Sequence, residues 1–212
     1  MKRIISDIKS MTAAALMITL LSGCEDNGGI GDGHDFGAND SNLYVALGDS
    51  ITAGNSGTSY PAELSALLGK SVINAGSDGS ESGDGALRVG SILNNSHPGY
   101  LLILYGVNDV IMGEYIEDII GNLRLIIQSA KANKTIPVIA TYPSVFGVHI
   151  MFFGGVSALN SAIRSLASSE NITLVDNESS FGNPNTQYMM EDGLHPNAEG
   201  YKLMARTFAD SL

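Results

Sequence analysis

A chain of 212 residues, 44% hydrophobic and 16% charged, can bury one ordinary domain core and is too apolar to be disordered throughout. Its formal net charge of −11 argues against a nucleic-acid partner, because neutralising phosphates takes clustered Lys and Arg. An acidic balance of this size mainly keeps a protein soluble.

The N-terminus reads as a targeting segment. Lys2, Arg3 and Lys9 form a basic start, and Met11 to Leu21 (MTAAALMITLL) is an apolar stretch. A bilayer span needs about 20 apolar residues, so this stretch is too short for one and reads as the core of a secretory signal. It runs into Leu-Ser-Gly-Cys at 21–24, which resembles a bacterial lipobox. Cys24 is the only cysteine, so no intramolecular disulfide can form. The resemblance implies a signal peptide over 1–23 and lipidation of Cys24. The alternative is a plain signal peptide with an incidental Cys. Removal of 1–23 takes away three basic residues and Asp7, which leaves a net charge of −13. With no polybasic patch, membrane attachment would rest on acyl chains alone, and more than one is needed. Glu25 is not the Asp that, by the same likeness, retains lipoproteins at an inner membrane. The expectation is a lipid-anchored envelope protein, at the outer membrane if the host is Gram-negative.

Residues 25–41 (EDNGGIGDGHDFGANDS) are rich in Gly, Asp and Asn. Such composition buries little, so 24–41 is expected to be a flexible tether and 42–212 the folded domain. Its acidic residues lack the spacing of a calcium loop.

From Leu43 short apolar runs alternate with helical patterns. The runs lie at 43–47, 71–74, 100–105, 136–141 and 172–175; they are continuous, as in strands covered on both faces. Helices are expected over 61–68, 86–93, 115–132, 157–168 and 198–209. The third is clearest, with Ile116, Ile119, Ile120, Leu123, Ile126 and Ile127 on one face. This alternation predicts an α/β domain with a five-stranded parallel sheet. Ligands of such sheets bind beyond the carboxyl ends of the strands.

Four loops at that edge carry polar residues. They are Gly48-Asp49-Ser50, "NAGSDGS" at 74–80, "YGVND" at 105–109 and "DGLHPNAEGY" at 192–201. A serine hydroxyl needs an adjacent base to act as a nucleophile. His195 is a candidate, and Asp192 three residues earlier can orient its ring. A tetrahedral intermediate needs donors, which a glycine N–H (Gly79) and an amide (Asn108) can supply. Taken singly, each feature has a plainer reading. Ser50 could cap a helix, Asn108-Asp109 and Asp192-Gly193 could be turns, Asn197 could cap the last helix, and His195 could be a surface residue.

Together, "GDS", the second-loop glycine, "GxND" and "DxxHP" resemble the four blocks of the SGNH, or GDSL, hydrolase family. The likeness spans about residues 43–212, in the family's order. It implies a flavodoxin-like three-layer α/β/α fold. It implies that Ser50 is the nucleophile, completed to a triad by Asp192 and His195. It implies an oxyanion hole from the Ser50 N–H, Gly79 and Asn108. The family's NxxxxG spacing from Asn74 selects Gly79 over Gly76. Val107 departs from the glycine common in the thioesterase/lysophospholipase branch, which weakens transfer of that branch's substrates. Of the other histidines, His34 lies in the tether, His97 at the opposite sheet edge, and His149 in the apolar segment 144–155, which could line an acyl pocket or be core. No His/Cys/Asp group has metal-ligand spacing, so no metal or cofactor is expected.

The expected activity is a cofactor-independent serine ester hydrolase acting on carboxylic or thio-esters, such as lysophospholipids or short and medium acyl esters. A polysaccharide O-acetylesterase is the alternative enzyme. A surface module that binds without turnover is the alternative of another class.

Overall fold

The computed structural model describes residues 29–54 and 58–212. Its five strands are β1 (Asp40–Gly48), β2 (Ser71–Gly76), β3 (Pro98–Leu104), β4 (Ile136–Ala140) and β5 (Thr173–Val175). They pair in the order β2-β1-β3-β4-β5, and every pairing is parallel. The helices are α1 (Ser50–Ala53), α2 (Tyr60–Leu68), α3 (Ser82–Ser96), α4 (Val107–Met112), α5 (Ile116–Ala132), α6 (Phe153–Glu170), α7 (Asn177–Phe181) and α8 (Ala198–Ala209). α2 packs with α8 on one face of the sheet, and α5 packs with α3 and α6 on the other. The parallel sheet is the one the alternation of runs and helices predicts, and the three-layer α/β/α arrangement is the one the family resemblance implies.

The core sits where the apolar runs predict it. Every residue of β3, the central strand, is buried. α5 turns Ile119, Leu123, Ile126 and Ile127 inward, and each such side chain contributes about 1.5–3 kcal/mol of burial. β2 departs from the expectation of two covered faces. It ends the sheet, flanked by β1 alone, and leaves Ile73 43% exposed. α1, α4 and α7 have four to six residues each, too few to show a helical period.

The segment expected to be a free tether is, from residue 29, part of the domain. The Ile30 N–H donates to the Leu212 carbonyl at 3.0 Å. Phe36 packs against Tyr100 with ring centroids 5.7 Å apart. Lys134 pairs with Asp35 at 2.6 Å, and Asn39 Nδ2 donates to the Asn133 carbonyl at 2.6 Å. Composition concealed this because Ile30 and Phe36, the two large apolar residues there, are outnumbered by Gly and Asp, yet each packs against the core. The folded domain therefore begins at or before residue 29 rather than at 42. The signal peptide over 1–23 and Cys24 lie outside the described residues.

Candidate active site

β1 ends at Gly48, and the chain turns at once into α1. The cap of α1 is Asp49, whose Oδ1 accepts the Ile51 N–H at 2.9 Å. Ser50 is thus the first helical residue and not the cap, which removes the plain reading of that serine. Its Oγ lies 3.0 Å from His195 Nε2.

The His195 ring is held from behind. Its Nδ1 is 2.7 Å from Asp192 Oδ2. Asp192 Oδ1 accepts the N–H groups of Leu194 at 2.9 Å and His195 at 3.0 Å. Burial works against the charge on Asp192, but these two N–H groups and the imidazole outweigh it and hold the carboxyl below its ordinary range. An ionised Asp192 only accepts, so in the neutral imidazole Nδ1 carries the proton and the Nε2 lone pair faces Ser50. The loop itself is closed. Met190 N donates to the His195 carbonyl at 2.8 Å, and Gly193 N to the Met190 carbonyl at 3.0 Å. Asn197 caps α8 through Gly200 N at 3.0 Å, as its position predicts, while its Nδ2 also donates to the Gln187 carbonyl.

The structure separates the two glycines of the second loop. A Cβ on Gly76 would sit 2.1 Å from Ala53 N, so Gly76 is there to let β2 approach α1. Its N–H is already donated to Asn74 Oδ1 at 2.9 Å. Gly79 instead lies in the Ser77–Ser80 turn at φ +69, exposed, with open space around a Cβ. Asn108 sits at the start of α4 and donates one amide N–H to the Ser80 carbonyl at 2.9 Å. So the second and third strand-end loops meet beside Gly79.

Several residues that stabilise the site escaped sequence reasoning. Arg88 on α3 donates to the Gly48 carbonyl at 2.9 Å and the Ala75 carbonyl at 2.6 Å, tying together the carboxyl ends of β1 and β2. Asp109, read in sequence as half of a turn, is buried and accepts the Ser82 N–H and hydroxyl. Asp49 is buried too, and Tyr142, just after β4, donates to it from a hydroxyl 2.6 Å away. Burial pushes the Asp49 carboxyl up to about 6 against the pull of that hydrogen bond. A polar run after the third strand signals Asp109; nothing in the apolar "TYPSV" signals Tyr142.

The remaining histidines lie apart from the Ser50–His195–Asp192 line. His34 lies 3.1 Å from the Lys134 carbonyl, and His97 ends α3. His149 Nδ1 lies 2.7 Å from the Asp192 carbonyl oxygen, so the 144–155 segment abuts the 192–195 loop without joining the Ser50–His195–Asp192 line. Phe146 N also donates to the Gly193 carbonyl at 3.0 Å. The segment's 3-10 turn, Gly147–Phe152, exposes Val148 (74%), Ile150 (59%) and Met151 (77%).

Residues 46–203 match the GDSL-like lipase/acylhydrolase family model. Over 186 residues the chain is 27% identical to Thioesterase 1/protease 1/lysophospholipase L1 of Escherichia coli K12, covering 84% of this chain and 86% of that one. Among solved structures, a protein described as lipolytic and of the G-D-S-L family from Desulfitobacterium hafniense superimposes with a TM-score of 0.74 at 24% identity, over 81% of this chain and all of that one. A GDSL-like lipase from Bacteroides thetaiotaomicron gives 0.69 at 23% identity, over 80% and 86% of the two chains. The chain belongs to the GDSL-like lipase/acylhydrolase family, and it is an ester-bond hydrolase.

Proposed function

We propose that the protein is a serine hydrolase that works through an acyl-enzyme on Ser50, with Asp192 and His195 completing its triad. The observation that carries this reading is the unbroken line from Ser50 Oγ to His195 Nε2 at 3.0 Å and from His195 Nδ1 to Asp192 at 2.7 Å. Ser50 Oγ bonds to the acyl carbon and its proton passes to Nε2. The imidazolium returns that proton to the departing alcohol or thiol as the bond to the acyl carbon breaks. Water then attacks the acyl-enzyme, gives a proton to Nε2, and the carboxylic acid leaves as Ser50 is reprotonated. The charge on the tetrahedral oxygen is met by the Ser50 N–H, the Gly79 N–H and the Asn108 amide N–H not engaged by Ser80.

The substrates we propose are carboxylic or thio-esters with short to medium acyl chains, including lysophospholipids. Val148, Ile150 and Met151 support an apolar acyl group over an acetylated sugar, since they stand exposed on a turn that is hydrogen-bonded to the catalytic loop. A Ser50→Ala control run beside an ester panel of increasing acyl length tests the reading. Rising kcat/KM from acetyl to octanoyl esters is the expected result, with no turnover by Ser50→Ala. Preference for acetylated polysaccharide over every longer ester would favour the deacetylase instead, and an inert wild type would favour a binding module.

We also propose that Cys24 carries lipid and tethers the enzyme to the bacterial envelope. Four residues, 25–28, separate Cys24 from Gly29, a stretch that spans at most about 18 Å. The described chain enters at the amino edge of the sheet, where Ile30 meets Leu212 and Asp35 meets Lys134. Ser50 stands at the carboxyl edge. An anchor at Cys24 therefore favours a site that faces away from the anchoring leaflet and draws its esters from the aqueous side.

A further inference from the structure

We infer that Arg88 is a positioning residue that sets the turn carrying Gly79 against the strand end carrying Ser50. Its guanidinium is hydrogen-bonded to one group at each of three strand ends. Nη2 donates to the Gly48 carbonyl of β1 at 2.9 Å and to the Ala75 carbonyl of β2 at 2.6 Å. Nε donates to the hydroxyl of Tyr105, the residue after β3, at 3.1 Å. Gly48 lies two residues before Ser50, and Tyr105 three residues before Asn108. One planar group thus spans the chain segments that present the nucleophile and both further oxyanion donors.

Both ends of the Gly79 turn lean on the same side chain. At one end the Ser77 N–H donates to the Gly48 carbonyl at 3.0 Å, beside the Arg88 bond to that oxygen. At the other end the Tyr105 hydroxyl lies 3.3 Å from Ser80 Oγ. A guanidinium only donates, so the phenol oxygen accepts from Arg88 and its own proton is left for Ser80. The Ser80 carbonyl in turn accepts the Asn108 amide at 2.9 Å. Gly79 itself is exposed, with nothing within 4 Å of a Cβ built on it, so its place is inherited from Ser77 and Ser80.

Helix α3 is shaped for this contact. A Cβ on Gly85 would fall 2.5 Å from the Tyr105 ring, so a glycine there lets the buried ring lie against the helix just ahead of Arg88. The fixed fork of Nε and Nη2 reaches three separate acceptors, which the single ammonium of a lysine cannot do with the same geometry. Oxyanion donors act by standing in place before reaction begins, and errors of about 1 Å cost on the order of 10²-fold.

This role rests on the proposed nucleophile and oxyanion assignments, and the test separates them. The full chain is treated with a fluorophosphonate, which bonds Ser50 Oγ to phosphorus, expels fluoride and passes the serine proton to His195. The second-order rate and the final number of labels per chain are read for wild type, Arg88→Met, which keeps the stem without the fork, and Arg88→Lys, which keeps the charge. Both variants are expected to label about 10- to 100-fold more slowly, with the endpoint held at one label per chain. On a p-nitrophenyl ester kcat per labelled site falls by the same factor while KM stays within about twofold. A merely structural role would lower the endpoint and leave kcat per labelled site at the wild-type value, which would overturn the proposal. So would wild-type rates in Arg88→Lys, because the charge alone would then suffice. If Arg88→Met shows no cooperative melt, Arg88→Lys is read alone against the same two outcomes. Absence of labelling in the wild type would overturn the nucleophile itself, a result distinct from equal labelling of wild type and variants.

Discussion

Asp109 accepts both the backbone N–H of Ser82, at 2.9 Å, and its hydroxyl. Asn122 Nδ2 completes the cluster on Ser82 Oγ at 3.0 Å. The start of α3 is thereby locked to α4, one residue from Asn108, and the Ser77–Ser80 turn that holds Gly79 is set from its far end. Asp109→Ala leaves two buried donors of Ser82 without an acceptor, which costs about 1–3 kcal/mol each in such surroundings. Urea unfolding is expected to show a loss of at least about 2 kcal/mol, with kcat down by on the order of tenfold. A variant as stable as wild type would mean the lock is incidental.

In the proposed mechanism the Asn108 amide acts in the transition state. Asn108→Ala should lower kcat by on the order of 10²–10³ with KM nearly unchanged, since the lost hydrogen bond strengthens as the oxyanion forms. Steady-state kinetics on one activated ester reads both constants. A rise in KM alone would make Asn108 a ground-state binder.

The buried Asp49 makes a prediction about the pH dependence of stability. Its folded carboxyl is raised to about 6 from an ordinary 3.8, mainly by burial. The folded state therefore binds this proton more tightly than the unfolded one. The group favours folding below the ordinary value, and that contribution is lost as pH rises through about 6. Above that, the buried charge costs on the order of 2–3 kcal/mol. Asp49→Asn removes the charge, so its stability relative to wild type should improve between pH 5 and pH 8 in urea melts while ester hydrolysis falls. A stability difference that does not change with pH would contradict the assignment.

Much of this was legible in the sequence, for identifiable reasons. Ser50, Asn108, Asp192 and His195 each follow or face a strand end, where polar residues stand out against apolar runs. α5 and α8 are long enough to display a period. The brace around them was not legible. Tyr142, just after β4, and Asn160 on α6 meet 18 residues apart, and a tyrosine in an apolar stretch has the pattern of core. Ile30 and Phe36 failed for a related reason: two anchoring side chains do not alter the composition of a Gly/Asp-rich segment. Glu81 and Asp84 start α3 by mutual capping ahead of its periodic part, so the helix begins four residues before Ala86.

The proposed anchor has its own test. Cys24→Ala should abolish incorporation of radiolabelled palmitate and shift the protein from the membrane to the soluble fraction. No incorporation into the wild type would remove the anchor and leave the enzyme assignment standing.

The most direct test of the central claim is the site of covalent capture by a fluorophosphonate, mapped by peptide mass on wild type and Ser50→Ala. A single adduct on Ser50 in the wild type, with no adduct and no ester turnover in Ser50→Ala, is the predicted result. An adduct on another residue, or hydrolysis that survives Ser50→Ala, would contradict it.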